Sequence, residues 1–231
     1  YPTTTKNDRE TLLRTCGYGV PSLEKALWSA RNHLTLIAQD EIQPFDGNSM
    51  KEMNLHSIPW PIDVLRSLGG TVVRMRVTLS YFIEPNPARR GWEYKFRYQS
   101  HGLRFDVKTS LETIDEFVTR LNRERWDEEQ GRRSVTSRGD SDEWFLGKQI
   151  RSKGSIHSDW WKGTAASLAD RSQVAVYPVV GWWRERHAEG HTRKKSRYSL
   201  IVTIETPETT MDIYTPVLTM ISAQIPTIIG R

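Results

Sequence analysis

Hydrophobic and polar residues alternate along several short stretches of this chain, most clearly at residues 71–83. Valine, methionine and leucine occupy the odd positions 73–79, while arginine, threonine and serine occupy the even positions 74–80. Because successive side chains of a strand point to opposite faces, this pattern predicts a strand with one buried and one solvated face. Further strands are predicted at residues 34–40, 51–58, 94–107, 174–180, 197–206 and 210–214.

Helical patterns occur at the start of the chain and at two later points. Residues 8–15 predict a short helix, and Ser22 is the expected N-cap of a second helix, whose apolar face carries Leu23, Ala26, Leu27 and Ala30. Helical insertions are predicted at residues 61–68 and 113–125, and the charged, Gly- and Ser-rich stretch 127–142 predicts a mobile loop. The chain is therefore expected to be mainly β, with helices in residues 1–33 and a β-rich domain in residues 34–231.

Composition indicates the redox compartment of the protein and the kinds of partner to expect. The single cysteine, Cys16, cannot form an internal disulfide, which favours a reducing compartment. No run approaches the ~20 apolar residues that span a bilayer, so we expect no membrane partner. The net charge of +5 is concentrated in one stretch between two predicted strands, which favours a solvated hairpin loop, with a binding patch as the alternative. Its cationic residues are Arg184, Arg186, Arg193, Lys194, Lys195 and Arg197.

The turn Gly17-Tyr18-Gly19 and the helical pattern after it resemble the end of the catalytic domain of subtilisin-like serine peptidases, or subtilases. The runs at residues 73–87, 100–106, 154–161 and 177–183 are similar to the tails of a bacterial group of large subtilases. The resemblance implies a jelly-roll-like β-sandwich preceded by two helices that belong to the catalytic domain. It also implies that the Asp, His and Ser motifs of the triad lie before the segment that matches Tyr1.

The function implied by this resemblance is that of the non-catalytic C-terminal part of a cytoplasmic serine endopeptidase. Such a region would stabilise the protease domain of the same polypeptide and contribute to recognition of substrates or partners, and the resemblance adds an ATPase as a further partner. The residues expected at the interface with the protease domain are Tyr18, Gly19, Leu23, Leu27 and Trp28.

Two tryptophan pairs, at residues 160–161 and 182–183, point to a contact surface. Adjacent residues of a strand face opposite ways, so one member of each pair is expected in the core and the other at an interface. Expected partner-binding residues are Trp161, Trp183, Arg184, Arg186, Arg193 and Lys194. The alternative function is a stand-alone β-sandwich module that binds glycan or nucleic acid, and nucleic acid is the less favoured of these ligands.

Several groups imitate catalytic or metal sites. Ser155, His157, Ser158 and Asp159 contain the side chains of a hydrolytic triad, but neighbours in sequence rarely form one, so we expect a buried hydrogen-bonding cluster beside Trp160 and Trp161. The run at residues 163–166 resembles a nucleophile motif with alanine in place of serine, and is interpreted as accidental. His187 and His191 lack a third ligand. No catalytic residue, metal or cofactor is therefore expected.

Overall fold

The structure, a computed structural model, describes residues 8, 11–13, 15, 31–42, 53–82, 102–129, 144–152, 154–179, 196–207 and 211–224. This part of the chain is mainly β and forms two antiparallel sheets. The strands are β1 (His33–Ile42), β2 (Asn54–Ser57), β3 (Val72–Tyr81), β4 (Gly102–Val107), β5 (Ile156–Thr164), β6 (Gln173–Val179) and β7 (Ser196–Glu205). The helices from residue 62 onward are α1 (Ile62–Ser67), α2 (Ile114–Glu129), α3 (Lys148–Arg151), α4 (Ala165–Ala169) and α5 (Tyr214–Gln224).

The first sheet contains four strands in the order β1-β7-β3-β5, and each neighbouring pair is antiparallel. Along β3 the odd-numbered side chains from Val73 to Leu79 are buried, whereas the even-numbered ones from Arg74 to Ser80 are exposed or half-buried. The alternation predicted for this strand is confirmed. Its consequence is a sheet with one face in the core and one face directed outward.

The second sheet contains three strands in the order β2-β6-β4. Val174 and Val176 of β6 belong to the main hydrophobic core, while Ala175 and Tyr177 point to the opposite face. There they pack against Phe117 and Leu121 of α2. Helix α2 therefore covers the outer face of the second sheet.

Helix α2 is fixed at its start by reciprocal hydrogen bonds. The Thr113 backbone N–H donates to the Glu116 carboxylate at 2.8 Å, and the Glu116 N–H donates to Thr113 Oγ1 at 3.2 Å, which is a capping box. One turn later Arg120 donates to both carboxylate oxygens of Glu112, each at 3.0 Å, and lies 3.4 Å from Asp106 of β4. This ion cluster ties the helix to the edge strand of the second sheet.

Both sheets contribute to one hydrophobic core. Leu79 and Trp161 from the first sheet and Phe105 and Val176 from the second belong to the same buried cluster. Ile213 and Val217, at the start of α5, join it. Each large aromatic or aliphatic side chain removed from water contributes roughly 1.5–3 kcal/mol, so the shared core is the main source of stability.

Most of the predicted elements are confirmed, with boundaries that differ by a few residues. Helix α1 lies within residues 61–68 and ends before Gly69, whose φ of 54° is accessible to glycine. Of the strand predicted at 94–107, residues 102–107 form β4 and the rest lies outside the described residues. Residues 8, 11–13 and 15 are helical, whereas the predicted helix after Ser22 also lies outside the described part.

Two predictions about elements are wrong, and one strand was not among those predicted. The strand predicted at 210–214 is absent from its described residues, because Asp212 instead caps α5 by accepting hydrogen bonds from the N–H groups of Tyr214 and Thr215. The predicted loop is wrong for residues 127–129, which belong to α2, and residues 130–142 lie outside the described part. The strand that was not predicted as an element is β5, which contains the 160–161 tryptophan pair, is nine residues long and forms an edge of the first sheet.

Candidate functional site

Most residues expected at interfaces lie outside the described part of the chain. These are Tyr18, Gly19, Leu23, Leu27, Trp28, Trp183, Arg184, Arg186, Arg193 and Lys194. Trp161 is described, and its placement at a partner surface is wrong: its side chain is completely buried in the core. The pair does face opposite ways, but Trp160 is the member that points outward and is only partly buried.

The hydrolytic look-alike at residues 155–159 is a set of separate structural contacts. His157 Nε2 lies 3.0 Å from the carbonyl oxygen of Gly154, and Ser158 Oγ lies 2.7 Å from Thr78 Oγ1. Asp159 binds Arg151 and three backbone N–H groups. His157, Ser158 and Asp159 are all buried, which confirms the expected buried hydrogen-bonding cluster.

The run at residues 163–166 also has a structural role. Gly163 and Thr164 end β5, and Ala165 begins α4. Thr164 Oγ1 accepts a hydrogen bond from the Ser167 N–H at 3.2 Å and so caps the helix. Gly163 lies against the indole ring of Trp161.

A polar network joins the two sheets at the end where β1 stops and β7 begins. The hydroxyl of Tyr198 on β7 accepts a hydrogen bond from Asn54 Nδ2 at 2.9 Å and lies 2.7 Å from Nε2 of His56 on β2. Asn54 also donates to Asp40 Oδ2 at 3.1 Å. Burial raises the pKa of Tyr198 to about 12 and lowers the pKa of His56. The network therefore holds an un-ionised tyrosine beside a neutral histidine.

Burial lowers the pKa of His157 to about 4, so the folded protein holds this ring neutral at pH 7. Because Gly154 offers a carbonyl, Nε2 must carry the proton and donate it. In the unfolded chain the pKa returns to ~6.5. The unfolded chain thus binds a proton that the folded one does not, and stability falls as the pH drops from about 6.5 towards 4.

We expect His157→Gln to reduce this pH dependence, because glutamine keeps a donor for Gly154 but does not titrate. The pKa difference corresponds to roughly 3 kcal/mol at its limit. Urea unfolding at pH 7 and at pH 4.5 measures how the free energy of unfolding changes with pH. Between the two pH values the wild-type chain should lose more stability than the variant. His33→Gln is the matched control, and it should follow the wild type. Identical losses in wild type and His157→Gln would contradict the assignment.

The described elements leave the β1 and β7 half of the outer face of the first sheet open. Across β1 and β7 it presents Ile37, which is 66% exposed, directly opposite Ile201. Thr35 and Thr203 form the next row, with their hydroxyl oxygens 3.3 Å apart. Since α2 covers the outer face of the second sheet, the two sheets differ in whether their outer faces are covered.

Charged and aromatic side chains occupy the other half of this face, along β3 and β5. Trp160 stacks on Phe145, with ring centroids 4.5 Å apart, and the guanidinium of Arg76 lies 5.7 Å from the indole centroid on β5. Arg74 and Lys162 are exposed and lie directly opposite each other on the paired strands. We call Arg74, Arg76, Lys162 and Trp160 the basic strip.

An open groove of about 640 Å³ lies at the end of the same face, next to the Tyr198 network. Glu41 of β1 and Arg197 of β7 face each other across the strand pair there. Phe82 at its margin is 69% exposed. The other lining residues are Gln39, Asp40, Ser80, Tyr81, Tyr198 and Ser199.

No protein-family model and no curated protein matches this chain.

Within the described ranges, no group of three or more His, Cys, Asp or Glu side chains is arranged to hold a metal ion. None of the helices described there combines the length and apolar composition needed to cross a bilayer. His187 and His191 lie outside these ranges.

Sequence reasoning missed the basic strip because it assigned the wrong tryptophan to the surface. A signal was present: Trp160 and Lys162 are two residues apart, and residues at that spacing share one face of a strand. Lys162 indicates that the face it shares with Trp160 points to solvent. Applied to this pair, the rule places Trp160 outward and Trp161 inward.

Proposed function

We propose that this chain is a non-catalytic accessory region of a subtilisin-like serine endopeptidase. In this proposal it stabilises the protease domain of the same polypeptide and contributes to the recognition of substrates or partners. The finer fold is a jelly-roll-like β-sandwich in residues 34–231, preceded by helices in residues 1–33 that complete the catalytic domain. The resemblance of the sequence runs supplies the family, the cytoplasmic setting and the expected ATPase partner.

The observation that carries the docking role is the outer face of the β1 and β7 half of the first sheet, which no described element covers. A sheet in a stable domain buries its apolar faces against other elements. Here the second sheet is covered on both faces, whereas the first presents Ile37 at 66% exposure beside Ile201. An aliphatic centre with a rim of threonine, serine and charged side chains is typical of a protein interface. A protein domain is therefore the favoured occupant of the β1 and β7 half.

The buried polar groups support a structural role for the described part of the chain. His157, Ser158 and Asp159 each bind a different partner, and those partners hold the 144–151 segment and β3 against β5. A triad instead requires the serine, histidine and carboxylate to bind one another in series. The proposal accordingly assigns catalysis to another part of the polypeptide.

A glycan-binding module is less well supported than docking to a protein. A sugar platform was expected to use the tryptophan pairs, and in the described pair Trp161 is buried while Trp160 stacks on Phe145 with Arg76 beside it.

A serine-directed covalent probe tests the non-catalytic assignment. The longest natural protein that contains these residues and the 231-residue chain alone are each treated with a fluorophosphonate, and labelling is measured by intact mass. We expect labelling of the longer protein only, and Ser158→Ala should leave its labelling unchanged. Labelling of the 231-residue chain, abolished by Ser158→Ala, would show that the cluster at residues 155–159 is catalytic.

A further inference from the structure

The basic strip contains two cations at neighbouring positions of the sheet. Arg74 on β3 and Lys162 on β5 occupy directly opposite positions in the register. Like charges at such positions repel each other. Neither residue forms a hydrogen bond or an ion pair with any described residue. On the other neighbouring strand, β7, Glu205 lies directly opposite Arg74. No ion pair joins these two side chains.

Arg76 extends the strip by one row and is held in place. Its Nε donates to Ser158 Oγ at 3.1 Å, and its guanidinium lies over Trp160. Phe145 stacks on Trp160 and supports the ring from the 144–151 segment. The terminal nitrogens of Arg76 make no hydrogen bond with a described residue, so they remain available as donors. A guanidinium fixed in this way is pre-organised for a carboxylate, which it can bind through two parallel hydrogen bonds.

We infer that the basic strip binds an acidic segment of a partner or substrate protein, laid along β3 and β5. This inference rests on the partner-recognition part of the proposed function and names the chemistry of that partner. Arg74, Lys162 and Arg76 bind its carboxylates. The flanking Val72 and Ile156, which are 52% and 48% exposed, contact aliphatic side chains on either side of those carboxylates.

The surroundings favour a protein over a nucleic acid. Single-stranded nucleic acids bind by stacking bases on free aromatic faces. Phe145 already stacks on Trp160 and Arg76 lies 5.7 Å from the centroid of the same indole, so this ring is engaged by protein side chains. Exposed valine and isoleucine at both ends of the strip also fit an apolar side chain better than a phosphate backbone.

Fluorescence anisotropy of a labelled peptide of alternating glutamate and serine tests the inference with the 231-residue chain. The double variant Arg74→Gln/Lys162→Gln removes two exposed charges that have no described partner, so folding should be unaffected and is checked by its unfolding midpoint. We expect the variant to bind the peptide at least about tenfold more weakly, which is about 1.4 kcal/mol. Arg123→Gln, an exposed cation on α2, is the matched control and should bind like the wild type.

Two further probes decide between the possible ligands. Raising the salt concentration should weaken peptide binding, since exposed charges are screened. A labelled single-stranded DNA of similar length should bind more weakly than the acidic peptide. Equal loss of binding in Arg123→Gln and in the double variant, or tighter binding of the DNA, would overturn the inference. Neither result depends on whether the longer protein reacts with the serine-directed probe, so the proposed function can stand or fail separately.

Discussion

Replacement of Asp159 with alanine is expected to lower the free energy of unfolding by about 3–5 kcal/mol, because it leaves a buried charge without its partner. The carboxylate of Asp159 accepts from Arg151 at 3.3 Å and from the backbone N–H groups of Leu146, Gly147 and Trp160 at 2.9–3.0 Å. Arg151 is 1% exposed and Asp159 is completely buried. One substitution therefore removes four charge-assisted or backbone hydrogen bonds.

The loss should be concentrated in the segment that leads into α3. The guanidinium of Arg151 packs against the rings of Phe105 and Trp144, 4.8 and 4.9 Å from their centroids. Without Asp159 this cation stays buried against two aromatic rings, and cation–π attraction alone replaces little of the ion pair. Hydrogen exchange at Leu146 and Gly147 should accelerate, since both amides lose their acceptor.

Denaturant unfolding of Asp159→Ala and of Arg66→Ala provides the measurement. Arg66 pairs with Asp170 at 3.4 Å, but both side chains are about half exposed or more, at 63% and 47%. Removing an exposed pair costs at most about 1 kcal/mol. A loss for Asp159→Ala no larger than that for Arg66→Ala would show that the buried pair does not hold this region.

Replacement of Gly163 with alanine should destabilise the fold by about 1–3 kcal/mol or more, through overpacking. A methyl group at this position would overlap the Cζ2 and Cη2 atoms of the Trp161 ring. That ring cannot move aside easily, because it is completely buried and Arg171 lies over it, 4.6 Å from the centroid. The strand or the indole must shift, and either movement disturbs the shared core.

Gly70→Ala is the control for this effect, because a methyl group there meets no atom within 4 Å. It should leave the unfolding midpoint nearly unchanged. Trp161→Leu combined with Gly163→Ala removes the overlap, so the double variant should lose less stability than the sum of the two single variants. Strict additivity would mean that the two positions do not interact.

Strand β3 was predictable because its hydrophobic and polar residues alternate regularly and because a shift in its register would be energetically costly. A shift of one residue would bury Arg74 and Arg76 and expose Met75 and Val77. Helix α1 was predictable for a different reason: Gly69 provides a stop with positive φ immediately after its last turn. Both signals are local, so the sequence alone was sufficient.

Strand β5 escaped prediction because its inward side is polar. His157, Asp159 and Trp161 point into the structure, and only the last of these reads as a core residue in a hydrophobicity pattern. The burial of Asp159 depends on Arg151, eight residues earlier, and on backbone N–H groups that the fold brings to it. No local pattern records such partners.

The candidate surface could be inferred from the sequence only in part. The alternation along β3 places the side chains of Arg74 and Arg76 on the same exposed face. Their neighbours on that face depend on the register in which the adjacent strands pair with β3. Which strand lies beside β3, and whether a helix covers the sheet, is decided by long-range packing. The contrast between the α2-covered sheet and the open one is therefore a property of the fold, and it is the observation on which the proposed docking rests.

The docking claim is tested most directly by the thermal stability of serine-probe labelling in the longer natural protein. Ile37→Asp places a charge in the centre of the open face, where Ile37 is 66% exposed. Leu111→Asp places the same charge at a more exposed site before α2, where Leu111 is 87% exposed. The account predicts that Ile37→Asp lowers the temperature at which labelling is lost by about 4–8 °C, as a loss of about 2 kcal/mol would, and that Leu111→Asp does not. Equal midpoints for the wild type and Ile37→Asp would contradict it.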